Sequence, residues 1–282
     1  MCRWLAYSGD PILRESFLFE AKHSLIDQSM CSKWAETPTN GDGFGIGWYG
    51  NKKYPGLFRS IRPAWNDFNL RDLTAQIESP LFLAHVRATS LATVQETNCH
   101  PFRYRNWLFV HNGEIFEVEK LRRKLPLAVS EDLFPQILGT TDSEVMFYLA
   151  LTFGLETDPL GALAGFIEET GRKKGIAESL WMTVGVSDGK SIWAVRYASD
   201  GDAPTLYHSR EMEDVYKLHP HLVGRLSPRT RLIVSEPVGT TAEAWQSVPQ
   251  NSSIRVLEGE IEIQPFVPTA PNAVAVALSG TA

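Results

Sequence analysis

Two apolar runs meet at Asp188-Gly189 in "LWMTVGV-SDGK-SIWAVRYA", and no other stretch restricts the fold as strongly. An Asp-Gly pair supplies the backbone angles of the tight turn that joins antiparallel strands, so residues 180–198 read as a hairpin. "RTRLIVSEPV" and "SSIRVLEGEIEIQPF" add strands with Gly and Pro punctuation. At the other end, "CRWLAYSG" reads as a strand that stops at Gly9-Asp10-Pro11. Pro11 then opens a helix, with Leu13, Phe17, Ala21 and Leu25 marking one buried face up to Ser29. "TPTNGDGFGIGWYG" is a turn followed by a Gly-interleaved aromatic strand. Leu70, Leu73 and Ile77 predict a short helix, and "LFLAHVRATS" and "NWLFVHNGEI" predict strands that run into polar turns. Helical patterns follow at Ile115–Leu125, Ser143–Phe153 and Pro159–Thr170. Strands, then helices, then strands again predict an α+β protein with helices outside antiparallel sheets, rather than alternating βαβ units.

The chain has 282 residues, 43% hydrophobic and 21% charged, which is ordinary for a globular protein. No linker divides it, so residues 2–266 read as one domain and 267–282, with Pro268 and Pro271, as a peripheral tail. Twenty-seven basic against thirty-three acidic residues give a net charge of −6, which argues against binding nucleic acid by phosphate neutralisation. No apolar run reaches the roughly 18 residues of a membrane span. "MCRWLAYSGDP" shows neither the basic nor the apolar region of a signal peptide. Three cysteines, Cys2, Cys31 and Cys99, suit reduced thiols better than a disulfide framework. The expectation is a cytoplasmic enzyme acting on a small molecule, without nucleic acid or membrane as partner.

Initiator methionine is removed when the second residue is small, and Cys2 qualifies. Removal places a thiol and a free α-amine on one residue, with ordinary pKa values of about 8.5 and about 7.7–8.0. Nucleophile and general base then share a single residue. Alone, a cysteine at position two is commonplace, and the other motifs have ordinary readings too. "HNG" is an Asn-Gly turn, Arg87 half of a surface salt bridge, and Asp142 the N-cap of the helix at 143–153. Cys99 and Cys31 read as packing residues, and His85 and His111 as satisfied structural histidines.

Gly45-Ile-Gly47-Trp-Tyr-Gly50 matches G-x-G-x-x-G, but "NKKYPG" follows where a dinucleotide site needs a helix. Its glycines instead permit close sheet packing under the nucleophile, and Asn40-Gly41-Asp42 are candidate pocket lining. "GRKKG" (171–175) reads as a solvated loop, and "HPH" (219–221) lacks a third metal ligand. A zinc site from Cys99, His100, His85 and His111 matches no standard spacing, so no metal is expected.

"TNGDGFGIGWY" (39–49), "AHVRATS" (84–90), "NCHPF" (98–102), "HNGEI" (111–115) and "TTDSE" (140–144) follow Cys2 in that order. From Cys2 to about Phe153 the chain thereby resembles the class II glutamine amidotransferases of the Ntn-hydrolase superfamily. In style it is similar to stand-alone amidotransferase-like proteins, including those that cleave γ-glutamyl compounds in ergothioneine synthesis and fungal glutathione breakdown. The resemblance implies a four-layer αββα sandwich of two antiparallel sheets flanked by helices. It implies Cys2 as nucleophile, Asn112 and Gly113 as oxyanion hole, Arg87 as clamp for a substrate carboxylate and Asp142 as partner of its ammonium. His111 falls among the substrate-binding positions and His100 shapes the pocket. The family often spaces the arginine two residues before Ala-Thr, whereas Ala88 follows Arg87 directly, so either Thr89 or Ser90 supplies the supporting hydroxyl.

The implied activity is cofactor-free hydrolysis of a γ-glutamyl amide, glutamine or a larger compound, through a cysteinyl thioester. Three other readings stand beside it: a subunit that passes ammonia to a separate synthase, a glutamine-binding regulatory module without turnover, and a Cys-His hydrolase built on Cys99 or Cys31. One domain using nearly all of 282 residues leaves no room for a synthase, which favours hydrolysis; assembly as a homo-oligomer stays open.

Overall fold

The computed structural model describes residues 2–32, 39–89, 93–174, 180–199, 201–210, 216, 223, 226–239 and 242–268. Its elements run β1 (Arg3–Leu13), α1 (Glu15–Leu18), α2 (Leu25–Met30), β2 (Phe44–Tyr49), β3 (Gly56–Ser60), α3 (Phe68–Gln76), β4 (Glu78–Val86), β5 (Phe102–Tyr104) and β6 (Trp107–Ile115). They continue α4 (Asp142–Thr152), α5 (Pro159–Lys174), β7 (Leu180–Ser187), β8 (Ser191–Ala198), β9 (Tyr207–Ser209), β10 (Arg231–Val234), β11 (Trp245–Ser247), β12 (Ser252–Leu257) and β13 (Glu260–Pro265).

The described strands form two antiparallel sheets, ordered β11-β9-β10-β1-β4-β2-β3 and β13-β12-β8-β7-β6-β5. Side-chain alternation explains how they stack. On β1, Trp4 and Ala6 face the second sheet and pack with Leu83, Val110 and Ile254. Leu5 and Tyr7, on the opposite face, pack with Phe17, Leu25 and Leu70 of α1, α2 and α3. On the far side of the second sheet, Phe109, Met182 and Val184 meet Phe147 of α4 and Phe166 of α5. The layers are therefore helices, sheet, sheet, helices, the expected αββα sandwich. Trp4 Nε1 donates to Thr183 Oγ1 at 3.1 Å, tying the sheets together.

The Asp188-Gly189 turn forms as expected: Gly189 has φ +93°, and Asp188 Oδ1 accepts from the backbone N–H groups of Lys190 and Ser191, each at 2.9 Å. The start of the chain departs from expectation. Pro11 does not open a helix; β1 runs on to Leu13, and its pairing with β4 slips between Ser8 and Ile12. A slip in the ladder tolerates a residue with no N–H to offer. The single helix expected up to Ser29 is two short ones. His23 takes a left-handed φ of +52°, and Ser24 and Asp27 form a capping box that restarts the helix.

The helix expected over 115–125 is also absent. β6 keeps pairing with β7 through Ile115 and Leu180, Glu117 turns left-handed, and only a 3-10 turn at Val118–Lys120 remains. Gly171–Lys174 close α5 instead of forming a loop, and "HPH" (219–221) lies outside the described residues. Among the described residues no helix is long and apolar enough to cross a membrane.

Candidate active site

Strand register brings the site together. β1 pairs Arg3 with Val86 of β4, which brings Cys2, just before β1, alongside the residues that follow β4. There the Cys2 thiol donates to the Ala88 carbonyl at 3.2 Å, and Ala88 N–H points back at Sγ from 3.4 Å. The Cys2 carbonyl accepts from Asn112 Nδ2 and from Arg3 Nη1, both at 2.8 Å. Asn112 belongs to β6 in the other sheet, and His85 Nε2 lies 3.2 Å from the His111 carbonyl across the same seam. The seam between β4 and β6 is thus where the two sheets deliver their polar residues to one point.

Gly113 has φ +154°, and a Cβ there would sit 2.2 Å from the Trp181 carbonyl oxygen and 2.6 Å from His111 Nε2. Only glycine fits, and it leaves its backbone facing the cavity beside Cys2. The glycines of β2 serve closeness instead: a Cβ on Gly45 would meet the His100 carbonyl at 2.2 Å. They permit the close packing read from the sequence.

Arg87 is buried, and its guanidinium donates to the carbonyls of Asp42 (3.3 Å) and Thr93 (3.4 Å), with no carboxylate partner among the described residues. A surface salt bridge is excluded for it. Asp142 is not the N-cap: Thr141 Oγ1 takes that role, accepting from Glu144 N–H at 3.2 Å, and Asp142 is the first helical residue. Half-buried at the positive end of α4, its Oδ1 accepts from the Ser143 N–H (2.8 Å) and hydroxyl (3.3 Å). Ser143 Oγ lies 2.8 Å from His111 Nδ1, so carboxylate, hydroxyl and imidazole form a chain.

Thr89 donates its N–H to Asp42 Oδ2 at 2.9 Å, while Ser90 lies outside the described residues. Asp42 therefore stands behind Arg87 and Thr89, and Asn40, Gly41 and Asp42 do not reach the cavity wall.

Cys2, Arg87, Thr89, Gly113, His111 and Asp142 border one open cavity of about 660 Å³, within the roughly 300–1,000 Å³ of small-molecule sites. Val118, Leu121, Leu125 and Ile137 give it an apolar wall that the sequence analysis missed. The Leu121/Leu125 spacing was the available signal, and it was read as a helix face.

Three histidines line the seam, each nearly inaccessible. His85 and His100 stack with ring centroids 4.2 Å apart. Burial pushes His85 down to about 3 and His111 to about 4, the latter against the pull of Asp142, and drives His100 well below its ordinary value. Both nitrogens of His100, Nδ1 of His85 and Nε2 of His111 lack hydrogen-bond partners among the described residues. His85 and His111 are thus not fully satisfied, contrary to expectation. Among the described residues no group of three or more His, Cys, Asp or Glu is placed to hold a metal.

Cys99 is fully buried, and burial pushes its thiol up to about 11, so it packs rather than reacts. Cys31 is exposed, correcting its reading as a packing residue. Burial raises the Cys2 thiol too, against the Ala88 hydrogen bond and the positive charges around it, including Arg87 and Arg3. Among the described residues Sγ has only Ala88 as a partner, so no neighbouring side chain takes its proton.

The family model described as "Glutamine amidotransferases class-II" matches residues 1–273. The probable glutamine amidotransferase DUG3 of Saccharomyces cerevisiae is 31% identical over 302 residues, covering 95% of this chain and 85% of its own. The gamma-glutamyl-hercynylcysteine sulfoxide hydrolase of Mycolicibacterium smegmatis is 22% identical over 268 residues, covering 94% and 100%. Among solved structures, a glutamine aminotransferase class-II domain protein from Silicibacter pomeroyi superposes with a TM-score of 0.71 at 32% identity, covering 95% of this chain and 100% of the other. The glutamine phosphoribosylpyrophosphate amidotransferase of B. subtilis shares the fold, with a TM-score of 0.61 at 11% identity over 95% of this chain and 50% of that one. With a family match along nearly its whole length, the chain belongs to the class-II glutamine amidotransferases.

Proposed function

We propose that this amidohydrolase cleaves the γ-amide of glutamine or of a larger γ-glutamyl compound, with Cys2 as nucleophile once Met1 has been removed. The Cys2 α-amine takes the thiol proton, and the thiolate attacks the γ-carbonyl carbon. Charge develops on the carbonyl oxygen, which the Gly113 N–H and the second N–H of Asn112 Nδ2 receive. Arg87 grips the α-carboxylate with its two-pronged guanidinium and Asp142 holds the α-ammonium. Thr89 supports the carboxylate end and His111 lies alongside the glutamyl chain. As the C–N bond breaks, the departing nitrogen takes the proton stored on the α-amine and leaves as ammonia or an amine. Water, giving its proton to the same amine, then attacks the thioester and releases glutamate with the thiol restored.

The observation that carries this reading is the Cys2 thiol hydrogen-bonded to Ala88, next to Arg87, on a cavity shared with Gly113 and Asp142. The lack of a side-chain base beside Sγ among the described residues supports it, because the amine freed by methionine removal is then the group at hand to take the proton. The name of the M. smegmatis relative, a hydrolase of a γ-glutamyl conjugate, favours hydrolysis. We take residues 2–266 as one amidotransferase domain, with 267–282 as its tail.

The test compares wild type with Cys2→Ala on glutamine and on γ-glutamyl-p-nitroanilide, reading released glutamate. At least a thousandfold loss in a folded variant is expected, and wild-type turnover in Cys2→Ala refutes the scheme. A second reading, ammonia passed to a separate synthase, draws on the B. subtilis neighbour, half of whose chain this one covers. Rejection of every γ-glutamyl amine other than glutamine favours that reading.

A further inference from the structure

A chain end has little to hold it, and terminal residues fray unless tied down. An N-terminal nucleophile therefore needs its orientation fixed from its carbonyl side. Here the Cys2 carbonyl takes two donors, Asn112 Nδ2 and Arg3 Nη1. Arg3 is itself held rigidly. β1 pairs with β10 in a register that matches Leu5 with Val234, and two further steps set Glu236 opposite Arg3. Ser235 extends that ladder: its N–H donates to the Trp4 carbonyl at 3.0 Å, and its hydroxyl accepts from Trp4 N–H at 2.9 Å.

Glu236 Oε2 accepts from Arg3 Nε at 2.7 Å and from Ser32 Oγ at 2.7 Å, and Ser32 Oγ in turn accepts from Arg3 Nη2 at 2.6 Å. Its other oxygen lies 2.6 Å from His23 Nε2. Gln28 Nε2 donates to the Glu236 and Pro237 carbonyls, fixing the backbone of that turn. Arg3 is 3% and Glu236 1% exposed, so this is a buried ion pair closed by hydrogen bonds on both sides.

Resting on the assignment of Cys2 as nucleophile, we propose that Glu236 is a positioning residue: through Arg3 it orients the Cys2 carbonyl and hence the thiol and amine that react. A buried ion pair gives little net stability against an apolar replacement, so stability alone is a weak account of it. Its geometry instead fixes Nε on Glu236 and Nη2 on Ser32, leaving Nη1 aimed at the one carbonyl that controls Cys2. Ser32 is part of the same brace.

The experiment uses Glu236→Gln and Ser32→Ala in the full chain, with Cys2→Ala in parallel. Steady-state rates are measured on whichever of glutamine and γ-glutamyl-p-nitroanilide the wild type cleaves faster. Alkylation of Cys2 by iodoacetamide is followed by peptide mapping, so that exposed Cys31 is counted separately. Glu236→Gln is expected to lower kcat by about ten- to hundredfold, with KM within about twofold, and to slow Cys2 alkylation per folded molecule. Ser32→Ala moves both in the same direction by a smaller factor, and decides the matter if Glu236→Gln does not fold. Unchanged kcat and alkylation in folded Glu236→Gln, or in Ser32→Ala when the former is unfolded, overturns the proposal. So does a loss that tracks only the unfolded fraction. Activity surviving in Cys2→Ala removes the nucleophile assignment itself, whereas an inert Cys2→Ala beside a fully active Glu236→Gln removes only the positioning role.

Discussion

Two buried polar clusters flank Cys2, and they are built on opposite rules. On one side Arg3, Glu236, Ser32 and His23 fill one another's hydrogen-bonding capacity at 2.6–2.7 Å. On the other, His85, His100, His111 and the Asn112 carbonyl oxygen keep buried atoms without partners among the described residues. An unmet buried polar group costs about 1–3 kcal/mol, so the open cluster gives the fold less than the closed one. His100 and His111 border the cavity and Arg3 and Glu236 do not, so the open cluster lies on the cavity side of Cys2 and the closed one away from it.

Acid is expected to strike the open cluster hardest. Each histidine has a native pKa below its unfolded value of about 6.5, so the unfolded state binds protons that the native state refuses. Stability therefore falls as pH drops below about 6.5, until each native pKa is reached, about 4 for His111 and about 3 for His85. At pH 5 the loss is on the order of 2 kcal/mol each for His85 and His111, and His100 adds to it in the same direction. Thermal melts between pH 8 and 4.5 check this, and a flat midpoint would erase the distinction between the clusters. The closed cluster contributes oppositely little there. Although burial alone would raise it, hydrogen bonds from His23, Ser32 and Arg3 hold the Glu236 carboxyl at about 2. Its share of stability is present above its ordinary value and is lost progressively as pH falls from there to about 2.

Breaking the closed cluster by Arg3→Met strands a buried carboxylate and is expected to cost about 3–5 kcal/mol in urea unfolding. Gly113→Ala, which drives a Cβ into the Trp181 carbonyl and the open side's His111 Nε2, should lower kcat by about 10²–10³. Activity within tenfold of wild type would remove Gly113 from the reaction. His100→Phe removes two unmet buried nitrogens and no hydrogen bond, so stability at pH 8 is expected to stay level or rise by about 1–3 kcal/mol. A loss of 3 kcal/mol would show that its ring nitrogens have partners after all.

The same contrast marks what the sequence made legible. The hairpin at Asp188-Gly189 and the strands carrying Cys2, Arg87 and Asn112 were readable because turn chemistry and side-chain alternation are local. Short motifs singled out Gly113 and Asp142, which the fold brings to one cavity, although the cap at α4 belongs to Thr141, one residue earlier. Glu236 was not readable: nothing in "SEP" announces that β10 will lie against β1 more than two hundred residues away. Nor was the apolar wall at Val118–Leu125, because pairing of Ile115 with Leu180 overrode a helical spacing. Pro11 misled for a similar reason, since a slip in the β1–β4 ladder was as good a home for it as a helix start.

The central claim is that Cys2 reacts as the first residue of the mature chain. Intact-mass measurement and peptide mapping of active protein after inactivation by 6-diazo-5-oxo-L-norleucine test it most directly. The account predicts a chain lacking Met1 with a single adduct on Cys2, formed in step with the loss of activity. Fully active protein that retains Met1, or an adduct on Cys31, Cys99 or any other residue, would contradict it.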